Sequence, residues 1–346
     1  MKWLQRQVGG DSSTNIQTQS LNIGLNYADV REIAMDVFRE NFAKLSAQAH
    51  SIAFARAEDF IDNLVTEMKD RAPQAIQNIQ DPGVQSDLLE AQSGYAKSGD
   101  RDLGEVLCDL LVDRCMRTDR NLSTLALSAA ISVAPKLTTS QLAALSFIFA
   151  VKETREVGVT RLEELYERIA KLYEPLSVEI TRLTPADIQY LVGLGCTTMS
   201  VGRTTFGDAL SKTYPGFFTT GFTVDEASPF RALTGTSALV PALRDSSKWQ
   251  IAAVNFAALH QLLAENNLLG HETGLTEATT NTMVQEAVVS AEFGAARPDL
   301  SDAIEAFAEK SLMHCRNTAI GTAIGHANLR RVTNGLFSTE IEVWIS

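Results

Sequence analysis

A mainly α fold, a multi-helix bundle with an N-terminal β tract and a short C-terminal strand, is what this 346-residue sequence predicts. Three observations carry that reading. Apolar residues recur at three- and four-residue spacing through most of the chain after residue 29, residues 9 to 26 read as extended, and residues 340 to 345 alternate strictly. With 45% hydrophobic and 21% charged residues the chain can bury a sizeable core. Thirty Lys and Arg against 42 Asp and Glu give a net charge of −12. That balance opposes the counterion release behind non-specific nucleic-acid binding, so no nucleic-acid partner is expected.

The opening tract holds Ile16, Thr18 and Ser20 on one alternating phase and Leu21, Ile23 and Leu25 on the other, which a bulge near Gln19 and Ser20 reconciles. Asn15, Gln17, Gln19 and Asn22 are amides suited to ladders between identical strands. A strand needs partners, and an otherwise helical chain offers them from other copies of itself. Asn15, Ile16, Gln17, Leu21, Ile23 and Leu25 are therefore the expected oligomerisation residues, with a tail that buries nothing as the competing reading.

From Asp29 to about Lys69 the apolar positions trace an amphipathic stripe. It reads either as one rod of roughly 60 Å or as two helices with a kink near Ser51. Pro73 closes it, and Asp81-Pro82-Gly83 is a helix start. Helical patterns follow at 84 to 97, 101 to 117 and 119 to 134, joined by short polar loops that suit antiparallel neighbours. Thr138 and Gln141 fit a capping box, and the helix they open is apolar nearly all round, a central position in a bundle. Residues 160 to 174 form a charged surface helix ended by Pro175. Thr184-Pro185-Ala186-Asp187 opens another, stopping near Gly193 and Gly195.

Residues 196 to 245 are rich in Gly, Thr, Pro and Ser and hold aromatic anchors at Tyr214, Phe217, Phe218 and Phe222. Thr223 to Glu226 begins a short helix on this reading. Further helices are expected at 246 to 268, 276 to 292 and 300 to 333. The close, Glu340 to Ile345, reads as a strand whose partner is the N-terminal tract. The organisation is then a β oligomerisation tract over 1–28, a helical domain over 29–175, and a second helical domain over 176–346 containing the loop-rich insertion and the final strand.

Chemistry-bearing motifs are sparse. Cys108, Cys115, Cys196 and Cys315 lack metal-ligand spacing and the first residues lack an apolar signal core, so a reducing, cytoplasmic setting is expected. No uninterrupted apolar stretch has membrane-spanning length. His271-Glu272 lacks a second imidazole, because position 275 is Leu, and no metal or cofactor is expected. Arg330 and Arg331, with Lys310 and Arg316 upstream, read as a helix C-terminal charge complement and solvated face, with a phosphate site as the alternative.

The last long helix is the best remaining site. Gly321 and Gly325 each cost about 1 kcal/mol relative to Ala in a helix interior, which implies another backbone close by. His326, three turns after Cys315, reads as a core histidine bonded to a carbonyl or carboxylate, with a general base as the alternative.

The tract Gly9-Gly10-Asp11-Ser12-Ser13-Thr14-Asn15-Ile16-Gln17 resembles the opening of an uncharacterised bacterial protein family. The same resemblance runs through Asp81 to Gln85, Ser98 to Gly104 with Leu110 to Arg114, Ala134 to Thr138, and Ala323 to Leu329 with Trp344-Ile345. It implies a helical body and no established activity; similar openings precede bacterial proteins associated with stress or phage defence. The expected function is a non-enzymatic homo-oligomeric scaffold or sensor whose partner surface is 196 to 245. The alternatives are a hydrolytic enzyme using His326 and a membrane-acting effector.

Overall fold

The computed structural model describes residues 26–41 and 46–345, and over these the chain is mainly α, with 15 α-helices and four three-residue strands. The expected oligomerisation residues, Asn15 to Leu25, lie outside the described residues. Helix α1 is Tyr27–Asn41 and α2 is Ala47–Arg71. The single rod is thereby corrected. Ser46 takes an extended conformation and its side chain accepts from the Ala49 amide, so it starts a new helix, and the break falls before Ser51. The two helices run antiparallel. Arg31 pairs with Glu58 and Asp62, Arg39 lies over Phe54, and the Lys69 ammonium stands 4.7 Å from the Tyr27 ring centre. Folding back lets Val30, Ala34, Met35 and Phe38 share a core with Phe60, Ile61, Leu64 and Met68, which a straight rod would leave in water.

Asp81 caps α3 (Pro82–Ser98) by accepting from the Gly83 and Val84 amides, and Gly99 closes it at φ +65°, where glycine carries no Cβ penalty. Asp100 caps α4 (Arg101–Cys115), and Asn121 caps α5 (Leu122–Val133). Thr138 and Gln141 form the full capping box of α6 (Thr139–Glu153), and every residue from Gln141 to Val151 is buried. An apolar helix without a polar face has to sit at the centre.

Helix α7 (Leu162–Tyr173) buries Leu165, Tyr166, Ile169 and Tyr173 and shows Glu164 and Arg168 to solvent as an ion pair. Helix α7 ends before Pro175, as expected, and the chain does not leave the helical layer there. Pro175 sits in a 3₁₀ turn that feeds directly into α8 (Ser177–Arg182), its missing N–H being harmless in a first turn. Thr184 and Asp187 box-cap α9 (Pro185–Gly193). There follow β1 (Thr197–Met199), α10 (Phe206–Thr213), β2 (Leu239–Pro241), β3 (Trp249–Ile251), α11 (Phe256–Glu265), α12 (Glu272–Asn281), α13 (Glu286–Ala296), α14 (Ser301–Glu309), β4 (Cys315–Asn317) and α15 (Ala319–Val332). The strands make two antiparallel pairs, β1 with β4 and β2 with β3.

Four expectations are overturned in this half of the chain. Residues 246 to 255 are not helical, because Trp249 to Ile251 pair with Leu239 to Pro241 and the helix begins only at Phe256. Residues 223 to 230 are turns, the Asp225 carboxylate accepting from the Ala227 amide instead of starting a helix. The pattern over 276 to 292 is two helices, parted where Thr282 and Phe218 accept from the Thr220 and Val284 amides. The long helix at 300 to 333 is broken by Ser311 at φ +65° and by Cys315 to Asn317, drawn into register with β1. The C-terminal strand is absent as well: Ile341 to Val343 is a 3₁₀ turn, and the Trp344 indole donates to the Glu153 carbonyl at 2.9 Å, docking the chain end on α6.

The main core runs from Val30 to Ile345 around α6 and α15. A smaller cluster of Phe222, Leu233, Leu239, Ile251, Leu259, Leu263 and Leu275 holds the β2–β3 ribbon against α11 and α12.

Candidate functional site

Helix α15 lies nearly backbone to backbone on its neighbours. A Cβ at Gly321 would stand 1.9 Å from the Cys196 carbonyl oxygen, and one at Gly325 would stand 2.7 Å from that of Leu145 on α6. Real side chains cannot approach so closely, so only glycine is compatible with this contact. Asn317 and Asn328 lock the same seam, donating to the Leu145 carbonyl at 2.9 Å and the Ser146 hydroxyl at 2.7 Å.

His326, next on the helix, is fully buried, with the rings of Phe149, Phe337 and Trp344 around it at centre distances of 5.4 to 5.9 Å. Its Nε2 is 2.7 Å from the Thr339 carbonyl. A carbonyl can only accept, so Nε2 carries the proton and donates. Burial, then the nearby Arg330 charge, pushes the imidazole down to about 4, so it is neutral at pH 7. Nδ1 then holds a lone pair, and it has no hydrogen-bond partner among the described residues. Cys315 is not on this face of the helix, as its sequence spacing suggested. It belongs to β4, upstream of the helix.

One turn further along, Arg330 enters a charged knot. Asp109 and Asp113 stand one turn apart on the inner face of α4, amid Leu107, Cys108, Leu110, Leu111 and Val112. Asp109 Oδ1 accepts from Arg71 Nη1 and, at 3.1 Å, from Arg330 Nη1; Asp113 Oδ1 accepts from Arg71 Nη2 at 3.0 Å. The Arg117 guanidinium donates to the Asp113 carbonyl and to Glu342. Desolvation, then repulsion from Asp109, raises the Asp113 carboxyl to about 7 against the opposing pull of Arg330, Arg71 and Arg117. Arg330 and Arg331 are thus no solvated basic face. Arg330 is buried between carboxylates, and Arg331 pairs with Asp102 and donates to the side-chain Oδ1 of Asn328.

Asp109, Asp113 and His326 each present a ligand-type atom within 4.8 Å of the others. Their geometry could hold a cation, but their charge environment argues against it. The guanidiniums of Arg71 and Arg330 already act as the counter-cations, and a divalent ion would add positive charge beside two fixed positive groups in a low-dielectric interior.

Beside the knot opens a cleft of about 720 Å³ between α2, α4 and the end of α15, with Asp109 and Arg71 in its wall. Tyr95 closes one side, its hydroxyl donating to Asp59 at 2.8 Å and its ring pressed where Gly104 leaves room. Sequence reasoning passed over Arg71, Asp109 and Asp113. The available signal was two acids four apart within an apolar helical run, a pattern that puts charge on a buried face. The expected partner surface at 196 to 245 does expose apolar side chains, namely Met199, Val201, Val240 and Leu243.

No described helix is long and apolar enough to cross a membrane. No curated protein and no solved structure matches the chain. Residues 24–345 match the model of a protein family whose description reads only ":-like", a family of uncharacterised type, and the chain belongs to that family.

Proposed function

We propose that this member of the family works by binding and assembly and not by covalent chemistry, as a helical scaffold or sensor that self-associates through its N-terminal tract. The observation that carries the reading is how the chain uses its reactive groups. His326 is neutral and walled by three aromatic rings, all four cysteines are buried, and the acids of α4 are held by guanidiniums. Such placements stabilise a fold or a binding surface; a general base needs reach to a substrate. Self-association rests on the extended pattern of residues 9 to 26, and a link to stress or phage defence rests on the resemblance of that tract alone.

Native mass spectrometry of the full chain and of a chain lacking residues 1 to 26 tests this, with helicity checked by circular dichroism. The expected result is an oligomer that falls to a monomer on truncation. A monomeric full chain at micromolar concentration would overturn the assembly reading.

A hydrolytic reading has one observation in its favour, the unpartnered Nδ1 lone pair on a histidine that clusters with Asp109 and Asp113. It requires turnover of a generic ester or phosphoester substrate that disappears in His326→Gln. Equal rates for both proteins would remove it.

A further inference from the structure

We propose that the outer edge of strand β1 receives residues 21 to 25 of a second copy of the chain as an added strand. The inference rests on the assembly reading and names the surface on which the N-terminal tract docks. The first observation is the phase of the β1–β4 ladder. The Ser200 amide donates to the His314 carbonyl, and the Thr318 amide to the Cys196 carbonyl. With Thr198 opposite Arg316, the bonded pairs of this antiparallel ribbon fall on Cys196, Thr198 and Ser200, so Met199 turns its backbone groups away from β4. Among the described residues nothing bonds the Met199 amide or carbonyl. The other side of the ribbon is closed, because the Cys315 carbonyl accepts from Lys152 Nζ at 2.6 Å.

The second observation is what flanks this edge. Thr198, Met199, Ser200 and Val201 are exposed, Val201 fully, and residues 197 to 201 include neither a charge nor a proline. Edges left in water are ordinarily guarded by one or the other; the β2 edge carries Pro241. An unguarded edge with Met199 and Val201 at alternate positions suits a strand that brings apolar side chains at every second residue. The chain before Asn26 holds such a segment, since no charge occurs from 12 to 28 and Leu21, Ile23 and Leu25 alternate.

The third observation decides whose edge it meets. Leu21 is five residues from Asn26, a reach of about 17 Å at most. Helix α1 packs on α2 and α3, whereas β1 packs on α9 and β4, and the path of contacts between them passes through α4 or α5 and then α15. Packed helix axes stand about 8–10 Å apart, and three such steps exceed that reach. Residues 21 to 25 accordingly meet β1 of another copy, and each copy gives one segment and receives one.

Disulfide trapping tests this on the full chain, whose native cysteines at 108, 115, 196 and 315 are buried. Chains carrying Leu21→Cys, Ile23→Cys or Leu25→Cys are each mixed with an affinity-tagged chain carrying Met199→Cys or Val201→Cys and mildly oxidised. Expected is a mixed covalent dimer in at least one pairing, and none with Val178→Cys, an exposed position on α8. In native mass spectrometry the double variant Met199→Lys with Val201→Lys should raise the dissociation constant of the assembly at least about tenfold, because an ammonium on the edge has to stay in water. Both side chains are exposed, so the fold is kept, as circular dichroism would show. The proposal is overturned by tract-to-tract dimers alone, by an intrachain bridge alone in a chain carrying both Ile23→Cys and Val201→Cys, by no mixed dimer in any pairing, or by an assembly indifferent to the lysines. If mass still falls on removal of residues 1 to 26 in these cases, the assembly reading stands without this surface; a monomeric full chain removes both.

Discussion

His326 contributes stability that acidification removes. In the folded chain the imidazole titrates at about 4, against 6.5 for an unperturbed histidine, because burial and Arg330 oppose its charged form. Between those values the unfolded chain binds a proton that the folded chain refuses, so stability falls as pH drops from 6.5 toward 4. At about 1.4 kcal/mol per pH unit, the full loss is on the order of 3 kcal/mol. Asp113 acts in the opposite sense. Its folded value of about 7 lies above the ordinary 3.8, so the folded chain binds the extra proton and stability rises as pH falls through the same window. The two contributions offset each other, and substitution separates them. His326→Gln can keep the hydrogen bond to Thr339 but cannot titrate; urea unfolding at pH 7.5, 6, 5 and 4.5 should show it gaining on the wild type at each step down. Asp113→Asn should do the reverse, losing ground to the wild type as pH falls. Parallel stability curves for His326→Gln and the wild type would refute the assignment of a buried neutral imidazole.

Three further outcomes follow from the packing. Gly321→Ala and Gly325→Ala place a methyl against a carbonyl and should cost about 1–3 kcal/mol or more, Gly321 the greater. Gly270→Ala, which meets nothing within 4 Å, should stay within about 0.5 kcal/mol of wild type in the same denaturant titration. Arg330→Met leaves Asp109 and Asp113 sharing Arg71, and loss of one partner from a buried pair predicts destabilisation of about 3–5 kcal/mol by thermal or urea unfolding. All four thiols are buried, with Cys115 pushed up to about 12 and Cys196 to about 11 by desolvation, so a thiol reagent at pH 8 should label the native protein negligibly and the denatured chain fully. Rapid labelling of the native chain would contradict that burial.

Much of the helical frame was legible because its signals are local. Asp81, Thr138 and Thr184 each announce a helix with a side chain that caps amides two or three residues away, and no distant residue is needed to make that bond. The all-round apolarity of Leu142 to Val151 places α6 at the centre for an equally local reason, since no face of it suits water. The glycines at 321 and 325 hinted at close approach, although the sequence could not say that Cys196 and Leu145 supply the opposing backbone.

What only the tertiary structure decided are the places where a distant partner outweighs local preference. Trp249 to Ile251 and Cys315 to Asn317 carry patterns compatible with helix, yet Leu239 to Pro241 and Thr197 to Met199 draw them into strands, because a ladder's bonds come from residues far along the chain. The alternation of Glu340 to Ile345 failed for the mirror reason: no partner strand meets it among the described residues, and burial of Ile341 and Ile345 is met by a turn packed on α6. The site is decided in the same way. A carboxylate on α4 becomes a buried, half-satisfied group only when Arg71 and Arg330 arrive from two other helices, and a sequence records each charge without recording which charges will meet.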